Sequence, residues 1–198
     1  MINIKNLLQD IPKPIRLFLG KALLLFVVWK ILYVGFLLDS KILDYPLTTH
    51  VGEASAELLN RFSSMSGFES VREVKTSIYE GERITEETSM IYHNNKPVLY
   101  IADVCNGLEL IVLYIGFIVC MPSSFFRKLL YIVLGAILLD VVNIGRCIGL
   151  IYLREYFEYY FDFAHKYLFK ITIYAFTFLL WMLYARKINL NNESVQVE

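Results

Sequence analysis

Apolar positions along this chain are gathered into four runs long enough to cross a bilayer, with polar residues collected between them. A hydrocarbon core of about 30 Å needs roughly 20 mainly apolar residues at the helical rise of about 1.5 Å. The runs lie at 17–38, 99–121, 127–152 and 166–185. The first, LFLGKALLLFVVWKILYVGFLL, is flanked by Arg16 and interrupted by Lys30. It is too long for the core of a signal peptide and has no small-residue cleavage site, so it predicts a retained anchor. The second is cleanly apolar in its C-terminal half but carries Asp103, Cys105, Asn106 and Glu109 in its N-terminal half. The third ends in DVVNIGRCIGLIY, and the fourth places Trp181 and Tyr184 as an interfacial belt. Pro122, Ser123 and Ser124 break the second run from the third, which predicts antiparallel neighbouring helices.

The polar stretch 39–98 has a pattern of its own. From 48 to 63, TTHVGEASAELLNRFS, apolar residues recur at 51, 54, 58, 59 and 62 after a threonine start, the spacing of an amphipathic helix. From 70 to 92, apolar and polar residues alternate on either side of Glu80-Gly81-Glu82, which predicts a hairpin. One helix and two strands would then form a small cap over the outer mouth of the bundle. The shorter stretch 153–164, LREYFEYYFDFA, is aromatic and acidic, as befits an interfacial loop. The expected fold is an all-α polytopic membrane protein: four transmembrane helices with a small extracytoplasmic α+β cap between the first and second.

Composition supports this reading and charge orients it. Hydrophobic residues make up 57% of the chain and the mean hydropathy is +0.50, against the 45–50% apolar usage typical of soluble domains. The 19 acids balance the 19 bases, so no nucleic-acid partner is expected. The bases are segregated: Lys5, Lys13, Arg16 and Lys21 before and within the first run, Arg127 and Lys128 at the turn, Arg186 and Lys187 in the tail. A four-span topology puts all of these on one side, which the positive-inside rule makes cytoplasmic. The segments 1–16 and 186–198 are then cytoplasmic, and the stretch 39–98, with ten acids and six bases, lies outside.

That topology brings three chemically active side chains to one depth. Cys105 and Arg146 each fall about six residues from the outer end of their runs, roughly 9 Å at the helical rise, and His165 opens the fourth run. Ionisable groups within a bilayer are costly and are functional candidates by default. A thiolate is the nucleophilic form of cysteine, an imidazole can take and return its proton, and a guanidinium stays charged and can face an oxyanion. Asn143, one turn before Arg146, is placed to hold the guanidinium, and Glu109 shares a helix face with Cys105. Glu109 and Lys30 lie at similar depths and are expected to pair. Gly107 would leave open space for a peptide backbone, and Asp103 or Asp140 is an alternative, purely structural partner for Arg146. Three cysteines without C-x-x-C, and two isolated histidines, His50 and His93, without H-E-x-x-H, give no metal or cofactor site. Cys120 reads as packing, and Cys147 points about 100° away from Arg146.

The blocks Asp103-Val104-Cys105-Asn106-Gly107, Asn143-Ile144-Gly145-Arg146 and His165-Lys166-Tyr167-Leu168-Phe169 resemble the exosortase/archaeosortase family over about residues 99–185. The resemblance implies a polytopic cysteine peptidase or transpeptidase of the bacterial cytoplasmic (inner) membrane, with its active site at the outer face. Its partners would be exported proteins carrying a C-terminal transmembrane sorting signal, the lipid bilayer, and a cell-surface acceptor. By the same matching Cys105 would be the nucleophile, Arg146 the electrostatic stabiliser and His165 the acid and base. Val104, Asn106 and Phe169 depart from residues common in the family, and four spans make this a compact form. Two other classes compete: a non-catalytic membrane assembly or scaffold protein, and a thiol oxidoreductase that pairs Cys105 with Cys147.

Overall fold

The structure, a computed structural model, describes residues 13–63, 65–79 and 82–186. Lys5, the Glu80-Gly81 hairpin tip, Lys187 and the rest of the tail lie outside the described residues. Helix α1, Lys13–Leu32, continues through a π-helical turn, Tyr33–Leu37, and a last α turn, Leu38–Ser40. Lys41, with φ 55°, ends it in the left-handed conformation. The chain then folds back as α2, Asp44–Phe62, whose buried residues Asp44, Thr48, Val51, Ser55, Ala56 and Leu59 follow the three- and four-residue spacing of one helix face. The amphipathic helix expected from 48 thus begins one turn earlier.

The expected hairpin is present as β1, Phe68–Tyr79, paired antiparallel with β2, Glu82–His93. A third strand, β3, Lys96–Ile101, pairs with β2 and completes a sheet of order β1-β2-β3. The turn between them is Asn94-Asn95, both at positive φ (50° and 65°), the conformation that two-residue hairpin loops require and that asparagine tolerates.

Strand β3 changes the second apolar run. The expected helix over 99–121 is divided: 99–101 are strand, Asp103–Cys105 form a single 3₁₀ turn, and α3 occupies only Leu108–Cys120. A short apolar run does not by itself distinguish strand from helix, and here sheet pairing decides. Thirteen residues rise about 20 Å, so Cys105 sits above the end of the helix rather than two turns inside it. The next helix, α4, Phe125–Tyr156, has 32 residues and a length of about 48 Å. It runs past the expected end at 152, and Phe157 alone separates it from α5, Glu158–Phe163. A π-helical turn, Ala164–Leu168, joins α5 to α6, Phe169–Ala185. The stretch expected as an interfacial loop, 153–164, is therefore almost wholly helical.

Among the described residues, two stretches are long and apolar enough to cross a membrane, Ile15–Ser40 and Glu158–Ala185. The fold is mostly helical with one small sheet, and it has two cores. In one, Val51, Leu59, Phe68, Ile91 and Ile101 of the cap enclose Ile144, Cys147, Leu150 and Ile151 of α4. The cap therefore packs along the side of α4 over its C-terminal half. In the other, Leu110, Tyr114 and Ile118 of α3 meet Leu139 of α4 and Ile173, Leu180 and Tyr184 of α6. The C-terminal ends of α3 and α6 are tied by basic residues, as unsatisfied C-terminal carbonyls favour. Arg127 donates to the Tyr184 carbonyl (2.7 Å) and Lys128 to that of Val119 (3.0 Å).

Candidate active site

Cys105 is placed by the turn between sheet and bundle. Ala102 is extended, the 3₁₀ turn follows, and Gly107 at φ 88° redirects the chain into α3. The side-chain oxygen of Asn106 accepts the Leu108 N–H at 2.8 Å, serving one of the free donors at the helix start. Its amide nitrogen donates to Asp44 Oδ1 (2.9 Å) and Thr48 Oγ1 (3.2 Å). Asp44 also accepts from the Tyr33 hydroxyl, and Asp103 accepts from Thr48 and from the Lys41 ammonium. Hydrogen bonding to Asp103, against the opposing effect of burial, raises the Lys41 pKa above its usual 10.5. The turn carrying Cys105 is thus fastened to the end of α1 and the start of α2.

Two residues of α4 complete this support. Asn143, 1% exposed, donates from Nδ2 to the Cys105 carbonyl (3.2 Å), and its Oδ1 accepts from Arg146 Nη1 at the long distance of 3.4 Å. The alternative partners of Arg146 are engaged elsewhere: Asp103 by Lys41 and Thr48, Asp140 by His50 at 3.0 Å. Among the described residues Arg146 Nε is buried without a partner. Gly107 is also held close to α4. A Cβ there would stand 3.2 Å from Asn143 Nδ2, so the glycine admits the asparagine side chain as well as the left-handed turn.

His165 lies within the π-helical turn, seven residues into the helical stretch that begins at Glu158 rather than at its opening. Such turns re-aim side chains and recur at functional sites. Its ring stacks on Phe161, with centroids 5.9 Å apart, and the Arg154 guanidinium lies 5.2 Å from the same Phe161 ring. Phe169 fits against Gly149, where a Cβ would come within 2.7 Å of its ring. The departure at Phe169 is thereby accommodated on α4.

Cys105, Arg146 and His165 are each partly buried, and all three line one cavity of about 710 Å³. Asn143, Gly107 and Glu109 line it too, while Asp103 and Cys147 do not. Glu109 and Lys30 form the expected pair at 3.0 Å. Below them the walls are apolar, from Leu110 and Leu113 down to Phe117 and Trp181. Sequence reasoning did not find Asn106, Asp44 and Thr48 as supports. Asn-Gly immediately before an apolar run was the available signal, since asparagine caps helices and glycine reverses the chain. His50 and His93 serve the cap, each bonded to a carboxylate of α4, Asp140 (3.0 Å) and Glu155 (2.9 Å).

A family model described as transmembrane exosortase matches residues 15–187, which covers the cap as well as the helices. The chain belongs to the exosortase family. No curated protein and no solved structure matches it. Exosortases are membrane proteins, generally cysteine peptidases or transpeptidases acting on exported proteins with C-terminal sorting signals. For an exosortase, one cavity shared by a thiol, a guanidinium and an imidazole is the place to look for that chemistry.

Proposed function

We propose that this exosortase is a membrane cysteine endopeptidase/transpeptidase that cuts a C-terminal sorting signal near the outer membrane face through Cys105, Arg146 and His165. The observation that carries the reading is their convergence on one cavity from three separate elements. His165 takes the thiol proton, and the Cys105 sulfur adds to the scissile carbonyl. Arg146 faces the developing oxyanion in a poorly hydrated site, where a fixed charge counts most. Collapse of the tetrahedral adduct breaks the C–N bond, His165 returns the proton to the leaving amine, and a thioester remains on Cys105. Water or an acceptor nucleophile, deprotonated by His165, then adds to the thioester and frees the thiol.

In the same proposal α1, α3, α4 and the helical stretch ending in α6 cross the bacterial inner membrane, with both termini cytoplasmic and the cap outside. Helix α3 is short for a 30 Å core, and the polar turn above it would let water and an extended peptide reach Cys105. Co-expression with membrane-tethered exported proteins encoded nearby tests the reading, with intact-mass analysis of each candidate's C-terminus. Trimming by the wild type that vanishes in Cys105→Ala supports it. Equal trimming in both removes Cys105 as nucleophile and favours the scaffold reading.

A further inference from the structure

The two edges of the cap sheet are not alike. Strand β1 is guarded: Glu69, Arg72, Glu73 and Lys75 lie along it, and at its start Asn60 bonds both the N–H and the carbonyl of Phe68 (2.9 and 2.8 Å). Charges and occupied main-chain groups discourage an edge strand from pairing with another chain. Strand β3 is guarded only in its first half, by Lys96, Pro97 and the register shift opposite Ile91 and Tyr92. Its second half, Leu99-Tyr100-Ile101, carries neither charge nor proline. Leu99 (7% exposed) and Ile101 (1%) are buried on either side of Tyr100 (50%), so the cap core takes one face of β3 and not its edge. Among the described residues, no hydrogen bond joins the main chain of 96–101 to anything but β2.

Position gives this bare edge its occupant. Strand β3 passes through the extended Ala102 into the 3₁₀ turn, which keeps Ile101 and Cys105 within about 10 Å of each other. Three residues of extended chain span that distance. A peptide laid on the edge of β3 therefore ends beside the thiol, at the cavity that Val104, Cys105, Arg146 and His165 line. Main-chain pairing at a sheet edge takes an extended segment and leaves side-chain choice to neighbouring pockets. We infer that the bare half of β3 binds the extended segment of the exported protein that precedes the scissile bond, as a fourth strand of the sheet. This rests on the peptidase reading proposed above. The segment runs parallel to β3, because β3 leads toward Cys105 and the sorting signal follows the cut.

The test uses the full chain carrying Cys105→Ala, which retains uncut substrate, in its native cells. The photo-reactive residue benzoylphenylalanine replaces Tyr100 on β3 or the exposed Val74 on β1, and cross-linked peptides are mapped by mass spectrometry. Adducts from Tyr100 should fall on the segment just before a C-terminal apolar helix of an exported protein, and Val74 should give none. Single prolines are then placed along that segment of the captured protein. Capture should fall roughly two- to tenfold, the worth of one hydrogen bond, at every second position and little at those between, because alternate N–H groups face β3. Adducts on β3 of a second copy, equal adducts from Tyr100 and Val74, none from either, or a proline effect without alternation overturns the pairing. Alternating capture without Cys105-dependent trimming would instead refute the peptidase reading and leave the added strand standing.

Discussion

On one side of the C-terminal half of α4, Ile144, Cys147, Leu150 and Ile151 interlock with the cap; on the other, Asn143 and Arg146 border an open cavity. The packed side is apolar and fixes the helix in place. The cavity side leaves a guanidinium nitrogen of Arg146, and lower down the indole nitrogen of Trp181, buried without partners among the described residues. A single helix therefore carries both the support and the supported group, and rigidity on one face permits an under-satisfied charge on the other. Substitutions on the two faces should consequently fail in different ways.

The largest effect is expected on the packed face. Ile151 is fully buried, and Ile151→Ala should cost about 2–5 kcal/mol of stability, read as a lowered melting temperature of the purified protein in detergent. On the cavity face, Arg146→Met should leave melting unchanged or raise it, since a half-buried unpaired charge is removed. Processing of a validated substrate should fall about 10²–10³-fold, the usual loss when one oxyanion donor is removed. A melting loss for Arg146→Met as large as that for Ile151→Ala would erase the distinction between the faces.

Between these faces lies the turn that joins them. Asn106 is 2% exposed and links the start of α3 to Asp44 and Thr48. Asn106→Ala strands buried polar partners at a cost of about 1–3 kcal/mol. Because the turn carries Cys105, activity should fall with it, and faster exchange of the amides from 102 to 108 should accompany the loss. Unchanged exchange with lowered activity would mean that Asn106 acts on the reaction directly rather than through the turn.

The sequence revealed those parts of this arrangement whose signals are local or periodic. The face of α2, the alternation of β1 and β2 and the Lys30–Glu109 pair all follow from spacing or from estimated depth. Strand β3 did not, because Val98, Leu99, Tyr100 and Ile101 adjoin a longer apolar run, and only pairing with β2 makes them strand. The error shifted Cys105 from a helix interior to a turn, and that turn borders the cavity that Arg146 and His165 also line. The π-helical turn at His165 and the hold of Asn143 on the Cys105 carbonyl depend on tertiary contacts, and spacing alone carries no sign of the second bond.

The smallest effect concerns the tie from Lys41 to Asp103. Its folded pKa is raised above 10.5, chiefly by that hydrogen bond. A cation bound more tightly in the folded state stabilises fully below its unfolded value and ceases to do so as pH rises through the folded one. Wild type and Lys41→Met should therefore melt with a constant separation from neutral pH up to about 10. Above 10.5 the two curves should converge as the wild-type ammonium is lost. The ammonium is partly solvated, so the separation itself is expected to be small. Convergence already at neutral or mildly alkaline pH would show that the turn is held by Asn106 and Thr48 without help from Lys41, and the fastening of Cys105 to the end of α1 would then rest on Tyr33 and Asp44 alone.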